Sequence, residues 1–216
     1  MAEYQYPNDG RTHTRYSDLV KCTDAAAAIE VAEQNLGIRV RHDSEAMRFG
    51  RDRHELFKEE TDRTGLTPQV FKDELGYQFE VEINEKTLTS SPFDDVVIWF
   101  TIDAVKKGGD VLADYKTSAG NGSEYRSSLQ LPVYAFLLLE HKLHPSKGDY
   151  LVEQWDKDRT EIIDYHRIAV DLGLKEYAAA KRWLRSRIGT YRAALEVATE
   201  EAEAKGWTER DTSAIV

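Results

Sequence analysis

Two aspartates and a lysine carry the strongest chemical signal in this sequence. Asp103 follows the apolar run VVIWFTI, Asp114 follows VLA, and Lys116 lies two positions beyond Asp114. Because side chains two positions apart on a strand point to the same face, Asp114 and Lys116 share one face. Two carboxylates suit a hard divalent cation, and a nearby lysine can position water or neutralise charge on a phosphate. The alternative is a surface ion pair at solvated strand ends.

The residues around these three side chains predict a β-hairpin. Residues 96–117 contain two runs rich in β-branched and aromatic residues, which a Gly-Gly-Asp turn joins. Such runs, bounded by turn residues, are typical of paired strands. A hairpin brings Asp103 next to Asp114 and Lys116, so we expect the three side chains to converge.

A histidine and a glycine stand out in the helix predicted ahead of the hairpin. Asp43 or Ser44 can cap this helix, and Gly65 lies near its end. Gly50 and His54 fall one turn apart on its apolar stripe, so His54 points where the apolar residues point. Glycine inside a helix costs about 1 kcal/mol relative to alanine, and a close approach would explain it. The alternative is a satisfied core histidine beside a glycine that serves helix packing.

A helix predicted from Ser123 carries a polar pair on an apolar background. Gln130 and Tyr134 are four residues apart and therefore neighbours on one face. Pro132 lies between them and is expected to kink the helix locally. A buried glutamine needs hydrogen-bond partners, which a neighbouring loop can supply.

The remaining elements complete a mixed α/β pattern. Helix signals run from Ser17 to Gly37. Strands are predicted at residues 77–85, 149–155 and 161–170, the last two as an antiparallel pair. In the first of these strands, Glu80 and Glu82 lie on the polar face.

A long helix is predicted from Leu174 to about Lys205. Basic residues cluster in its first half, where Lys181, Arg182 and Arg185 are candidates for contact with a phosphate backbone. The alternative is a solvated charged face.

The composition narrows the class of protein. The chain has 216 residues and a net charge of −10, which argues against coating nucleic acid through bulk charge but leaves room for a local basic groove. No apolar run approaches the ~20 residues that span a bilayer, and no secretion signal is evident. We therefore expect a cytoplasmic protein without membrane association. Cys22 is the only cysteine, which excludes an iron–sulfur cluster held by four cysteines of this chain.

The order of the motifs resembles the PD-(D/E)XK nuclease superfamily, specifically its RecB-like branch. A GxxxH helix precedes an acidic strand, a strand ending in Asp, a strand ending in DxK and a QxxxY helix. The segment ADYKTSAGNGSEYRSSLQLPVYA is similar to the DxKT…QLxxYA signature of that branch, and YSDLVKC resembles its opening segment. The resemblance covers roughly residues 15–170. It implies an α/β fold with a restriction-endonuclease-like core, in which helices flank a central mixed β-sheet, and a single domain over residues 1–216 that includes the long C-terminal helix.

The resemblance also implies a role for the residues of the hairpin and the first motif helix. His54, Asp103, Asp114 and the Tyr115 carbonyl would bind a divalent cation, Mg²⁺ or Mn²⁺. An imidazole ligand favours Mn²⁺, because nitrogen suits transition metals better. Lys116 would orient the attacking water and stabilise charge on the phosphate.

Two further motifs would support this centre. The resemblance implies that Gln130 and Tyr134 hold Lys116 or the DNA backbone in place. Either Glu80 or Glu82 would stand in the outer shell of the metal, and the sequence does not choose between them.

The implied function is that of a divalent-metal-dependent DNA exonuclease in recombination, repair or phage DNA metabolism. Its substrate would be DNA with double-stranded ends or single strands, in the host cytoplasm if a phage encodes the protein. A single-strand-annealing or other recombination partner and an oligomer are compatible with this role. The alternatives are a catalytically silent relative that binds DNA or protein, and a purely structural α/β domain with unrelated ion pairs.

Overall fold

A computed structural model describes residues 10–36, 38–39, 44–93 and 95–206 of the chain. The strands in these ranges are β1 (Thr12–Arg15), β2 (Val81–Phe93), β3 (Val96–Lys106), β4 (Val111–Ser118), β5 (Lys147–Trp155) and β6 (Ile162–Asp171). The α-helices are α1 (Tyr16–Lys21), α2 (Ala25–Asn35), α3 (Glu45–Thr64), α4 (Gln69–Leu75), α5 (Gln130–Leu138) and α6 (Leu174–Ala204). Short 3₁₀ helices span Ser123–Ser127 and Leu139–His141.

The strands form a mixed sheet. Its order is β1-β3-β4-β5-β6, and β2 also pairs with β3. The predicted hairpin is the antiparallel pair β3–β4, and the predicted second pair is β5–β6. Strands β4 and β5 are parallel, and parallel neighbours require a crossover, which the first 3₁₀ helix and α5 supply here. The mixed sheet with its helices and the long α6 confirms the predicted fold class.

The chain forms two compact units. In its described parts, the first unit contains residues 10–36, 38–39, 89–93, 95–100 and 182–206, and the second contains residues 44–88 and 101–181. In the first unit, the rings of Tyr16 and Trp183 lie 5.7 Å apart. In the second unit, Phe57, Phe71 and Tyr115 belong to one buried apolar cluster. The candidate metal ligands all lie in the second unit, and the single domain over residues 1–216 stays a prediction.

The prediction of one continuous helix from Ser17 to Gly37 is wrong. The structure has two helices there, because α1 ends at Lys21 and Asp24 caps the start of α2. The Asp24 side chain accepts a hydrogen bond from the backbone N–H of Ala27 at 2.9 Å, which is the contact of an N-terminal cap. Gly37 lies outside the described residues.

The helix predicted from Ser123 is also different. Residues Ser123–Ser127 form a 3₁₀ helix, and α5 begins only at Gln130. Pro132 therefore falls in the first turn of α5, where its missing N–H is not needed by the helix. The predicted mid-helix kink has no cause in this position.

Strand β2 is longer than predicted, and α4 was not predicted. The alternation at residues 77–85 predicts a strand there, but in the structure the strand begins only at Val81 and continues through the polar stretch to Phe93. Pairing with β3 stabilises this stretch, since the hydroxyls of Thr87 and Thr101 lie 2.9 Å apart across it. Helix α4 has only seven residues, which is too short for a clear periodicity.

Helix α6 agrees with its predicted bounds. Its buried positions include Leu184, Ile188, Tyr191 and Ala198, which follow the helical period. Within the described ranges, no helix combines the length and the apolar character that crossing a membrane requires.

Candidate active site

The hairpin places the two predicted aspartates side by side. Ala104 of β3 pairs with Ala113 of β4, so Asp103 and Asp114 are the next residues in this antiparallel register. Both side chains are buried, with 8% and 2% of their surface exposed. Lys116 Nζ lies 2.5 Å from Asp114 Oδ2. The predicted convergence of the three side chains is present in the structure.

Helix α3 brings the predicted imidazole to the same place. Ser44 accepts a hydrogen bond from the backbone N–H of Met47 at 3.2 Å and so begins the helix, while the alternative cap, Asp43, lies outside the described residues. A Cβ atom on Gly50 would lie 3.3 Å from Thr117 Oγ1, which explains the glycine by the close approach of β4. One turn later, His54 Nδ1 lies 3.7 Å from Asp103 Oδ2.

The surroundings of Asp103 favour its neutral form more than usual. Burial raises the pKa of this carboxyl to about 6. The Lys116 ammonium and a 2.7 Å hydrogen bond from the Tyr115 N–H to Oδ2 both oppose the rise, and the charge of Glu85 adds to it. The carboxyl of Asp103 therefore titrates near neutrality.

Asp114 is in a similar state, although its neighbours differ. Burial raises the pKa of Asp114 to about 6, against the effect of Lys116 and with a further contribution from Asp103. Gln130 Nε2 donates a hydrogen bond to Oδ1 at 2.7 Å. Burial alone would lower the pKa of Lys116, but the attraction of Asp114 and Asp103 outweighs it and the pKa lies above its usual range. Lys116 is therefore an ammonium at neutral pH.

The state of His54 suits a metal ligand. Burial lowers the pKa of the imidazole, and the Lys116 charge lowers it further, while Asp114 opposes both. A neutral imidazole has a free nitrogen lone pair, which is the form that binds metal ions.

The QxxxY motif supports the carboxylate of Asp114. Besides donating to Asp114, Gln130 Nε2 lies 3.4 Å from the Tyr134 hydroxyl, so the glutamine amide connects the two side chains. The family resemblance implied that these two residues contact Lys116 or DNA. In the structure, Gln130 contacts the carboxylate of Asp114, which Lys116 also contacts.

The Tyr115 side chain has a structural role. Its ring is 2% exposed and stacks on Phe71, with centroids 5.8 Å apart and an angle of 8° between the planes. Its backbone contacts the site through the N–H group, which donates a hydrogen bond to Asp103. Metal binding by the Tyr115 carbonyl stays a prediction.

The donor set fits a divalent cation in its chemistry. It offers two carboxylates and a neutral imidazole, and the buried Asp114 Oδ2 is in contact with the Lys116 ammonium. The ammonium of Lys116 balances its charge. In the described ranges, no three His, Cys, Asp or Glu side chains are already arranged around one point. Binding would therefore require small rotations of these side chains, with Lys116 the group that competes for Asp114.

The two glutamates considered for the outer shell contact the hairpin turn instead. Glu80 forms an ion pair with Lys107 at 2.8 Å, and Glu82 accepts a hydrogen bond from the Gly108 N–H at 3.0 Å. Both are exposed. The structure brings neither of them to Asp103 or Asp114 through a hydrogen bond or an ion pair among the described residues.

A different glutamate of β2 lies at the site. Glu85 lines a shallow cleft together with His54, Lys58 and Asp103. Its Oε2 is buried and has no hydrogen-bond partner in the described part of the chain. Burial raises the pKa of Glu85, and Lys58 opposes the rise. The signal was present in the sequence, because the alternation that turns Glu80 and Glu82 outward turns position 85 toward the face of Ile83.

The basic residues predicted on the long helix are exposed. These residues are Lys181, Arg182 and Arg185. The Arg185 guanidinium lies 5.5 Å from the centre of the Phe93 ring. Contact with a phosphate backbone stays a prediction.

Comparison with known proteins gives a family and two similar folds. The structure is similar to the crystal structure of a phage-related exonuclease from Haemophilus somnus 129PT, with a TM-score of 0.56 and 10% identity over 88% of this chain and 96% of that chain. It is also similar to LHK-Exo in complex with dAMP, with a TM-score of 0.50 and 12% identity over 90% and 94% of the two chains. LHK-Exo is an alkaline exonuclease from Laribacter hongkongensis.

At these identities the similarity concerns the fold. No curated protein matches the sequence. The family model of the PD-(D/E)XK nuclease superfamily matches residues 7–209, which is nearly the whole chain. The protein therefore belongs to the PD-(D/E)XK nuclease superfamily, as the order of its motifs predicts.

Proposed function

We propose that this protein is a divalent-metal-dependent DNA nuclease that degrades DNA from its ends. The observation that carries the proposal is the buried pair Asp103 and Asp114 with Lys116 beside it. Burying two carboxylates with raised pKa values costs stability, and such costs are typical of functional sites. The two similar exonuclease structures support action at DNA ends.

The residues of the site have different proposed roles. His54, Asp103 and Asp114, with the Tyr115 carbonyl, would hold the cation, and the imidazole favours Mn²⁺ over Mg²⁺. When bound, the cation supplies an activated water and charge neutralisation at the scissile phosphate. Lys116 orients that water and stabilises the negative charge that develops on the phosphate oxygens.

The second motif helix maintains the geometry of this centre. Gln130 fixes the orientation of the Asp114 carboxylate through its 2.7 Å hydrogen bond, and Tyr134 in turn contacts the Gln130 amide. In this proposal the substrate is DNA with double-stranded or single-stranded ends, and the reaction serves recombination, repair or phage DNA metabolism. A recombination partner and an oligomer would fit this role.

The exposed basic residues of α6 provide the proposed contact with the DNA backbone. Neutralising Lys181, Arg182 and Arg185 should weaken DNA binding and reduce the dependence of affinity on salt, because each lost phosphate contact releases fewer counterions. Binding measured over a salt series checks this, and an unchanged slope would mean that the face is only solvated.

The proposed function is tested with end-labelled linear DNA in Mg²⁺ or Mn²⁺. We expect degradation of linear DNA, little attack on closed circular DNA, and loss of activity in Lys116→Ala. Lys106→Ala is the matched control, because Lys106 lies on the same hairpin but pairs with Asp110 at its surface, 3.2 Å away. No cleavage by the unaltered protein, or equal cleavage by Lys116→Ala, would refute the proposal. A catalytically silent relative would still bind DNA, and it would do so without metal.

A further inference from the structure

A second ion pair, whose carboxylate is buried, lies directly beside the candidate metal ligand on α3. Arg53 Nε donates to Glu153 Oε2 at 2.9 Å, and its Nη2 donates to Oε1 at 2.6 Å. Glu153 lies on β5 and is 0% exposed. This two-point geometry fixes the orientation of the arginine as well as its distance. It connects the residue before His54 to the sheet.

The surroundings of Arg53 leave little freedom to this contact. The guanidinium carbon lies 5.3 Å from the ring centres of both Phe57 and Trp155. The Trp155 indole N–H also donates to Glu153 Oε2, at 3.2 Å. Both oxygens of the buried carboxylate are therefore satisfied, and the aromatic rings hold the planar guanidinium between them.

A second contact fixes the same part of α3. Gly50 approaches Thr117 of β4, and Thr117 is the residue of β4 that pairs with Glu153 of β5. The helix thus touches two neighbouring strands at paired positions, through Gly50 and through Arg53. Because these residues are three apart on α3, the two contacts together determine the rotation of the helix about its axis. That rotation decides where His54 points.

We propose that Arg53 and Glu153 are positioning residues, which hold α3 in the rotation that directs His54 at Asp103. The inference rests on the proposed function, because the imidazole and the carboxylate share a task only if they bind one cation. Neither residue touches the reacting atoms. Outer contacts of this kind are worth about 10- to 100-fold in metal affinity.

The test uses Arg53→Lys, which keeps the charge but loses the two-point geometry, and Glu153→Gln, which keeps the shape but loses the charge. Arg167→Lys is the matched control. Arg167 contacts the buried Asp149 of β5 through Nε at 2.8 Å and Nη2 at 3.3 Å, but it lies on β6 and not on α3. All three variants disturb a buried ion pair on β5, and only the first two disturb the pair that holds α3.

The first measurement is the dissociation constant for Mn²⁺ without DNA, by electron paramagnetic resonance. We expect Arg53→Lys and Glu153→Gln to bind Mn²⁺ about 10- to 100-fold more weakly than the unaltered protein. Arg167→Lys should bind it as the unaltered protein does, even if it unfolds at a lower temperature. The second measurement is the NMR signal of the His54 imidazole at one pH without metal, which should move in the first two variants and stay in place in the control.

The outcomes separate the two proposals. If the unaltered protein binds no Mn²⁺, the proposed function is overturned, and the role of the ion pair in it falls as well. If the unaltered protein binds Mn²⁺ but Arg53→Lys and Glu153→Gln bind it no worse than Arg167→Lys, only the positioning role is overturned. An unmoved His54 signal in a folded Arg53→Lys protein would contradict it equally.

Discussion

Two buried aspartates lie on neighbouring strands and differ in the groups that contact their carboxylates. Asp149 of β5 accepts hydrogen bonds from the Arg167 guanidinium at both oxygens and from the Tyr77 hydroxyl. The Arg167 guanidinium also covers the Tyr77 ring at 3.7 Å. Asp114 of β4 has the Gln130 amide at one oxygen and the Lys116 ammonium at the other.

The sheet register separates the two clusters. Asp149 pairs with Ala113 and Asp114 pairs with Tyr150, so the two aspartates point to opposite faces of the sheet. On one face a buried carboxylate has all its partners, as a structural network requires. On the other, a carboxylate with a raised pKa has one amide and one ammonium as its contacts and lies near a second carboxylate, Asp103. The first cluster is a closed hydrogen-bond network, and the second contains the residues of the proposed cation site.

The largest expected effect separates the two clusters by activity. Removing the ammonium in Lys116→Ala should lower the cleavage rate by about 100- to 1000-fold, as the loss of a charge-stabilising donor does in other active sites. Arg167→Ala should leave the rate of the folded protein unchanged. Single-turnover cleavage of linear DNA measures both. An equal loss of rate in the two variants would remove the functional distinction.

The same two variants should rank in the opposite order when their loss of stability is measured. Arg167→Ala leaves the Asp149 carboxylate buried without its cation, and such a loss costs about 3 kcal/mol of unfolding free energy. Lys116→Ala should cost less, because Asp114 titrates near pH 6 and can take up a proton. Urea unfolding at pH 6 measures the difference. A larger cost for Lys116→Ala would show that the site is the more rigid structural network.

Metal binding should depend on pH through the two aspartates of the site. Their pKa values are raised to about 6, and only the ionised carboxylates bind a cation. Mn²⁺ affinity should therefore fall as the pH drops through 6, by about tenfold per unit for each carboxyl that must lose a proton. Titrations from pH 5 to pH 8 check this, and an affinity independent of pH in that window would contradict it.

A smaller effect is expected on stability when each aspartate is neutralised. A carboxyl whose pKa is raised in the folded state binds more protons folded than unfolded between about pH 4 and 6. Its contribution to stability therefore falls as the pH rises through this window and stays lost above it. Asp103→Asn should thus stabilise the protein at pH 8 by about 1–2 kcal/mol and have little effect at pH 4.

Asp149→Asn is the matched comparison for that measurement. It weakens the hydrogen bonds that Arg167 and Tyr77 donate, so it should destabilise the protein at pH 8. Thermal unfolding of both variants at the two pH values decides the point. Destabilisation by Asp103→Asn at pH 8 would contradict the view that this carboxylate is kept at a cost.

The smallest effect concerns the glutamate that the sequence did not single out. Glu85 contributes to the raised pKa of Asp103 through its charge, after burial. Glu85→Gln should therefore lower the pKa of Asp103 slightly, which ¹³C NMR of the carboxyl can follow. Glu80→Gln is the control, because Glu80 pairs with Lys107 at the hairpin turn. An equally large change in the pKa of Asp103 in Glu80→Gln would show that Glu85 has no specific effect on the site.

The parts of the site that could be predicted are those within short stretches of sequence. Asp114 and Lys116 share a strand, and Asp103 is brought to them by a turn of a few residues, so local rules suffice. Helical periodicity predicted only that His54 lies on the apolar stripe of its helix, and its place at the site came from the family resemblance. The structure places His54 3.7 Å from Asp103 and Lys116 2.5 Å from Asp114, and their joint action on one cation stays a prediction.

The parts that were missed depend on contacts between distant residues. Arg53 and Glu153 are 100 positions apart, and Tyr77 and Asp149 are 72 apart, so no local pattern connects them. The polar part of β2 was missed because its pairing with β3, and not an apolar face, makes it a strand. The break between α1 and α2 was missed because Asp24, inside an otherwise helical pattern, acts as a cap.

The central claim is that His54, Asp103 and Asp114 bind one divalent cation. Anomalous diffraction from a crystal soaked in Mn²⁺ tests it directly. We expect one strong peak within about 2.5 Å of ligand atoms from all three side chains, with the Lys116 ammonium displaced from Asp114. A peak that has neither His54 nor one of the two aspartates among its ligands would contradict the account. The absence of a peak between these side chains at saturating Mn²⁺ would contradict it as well.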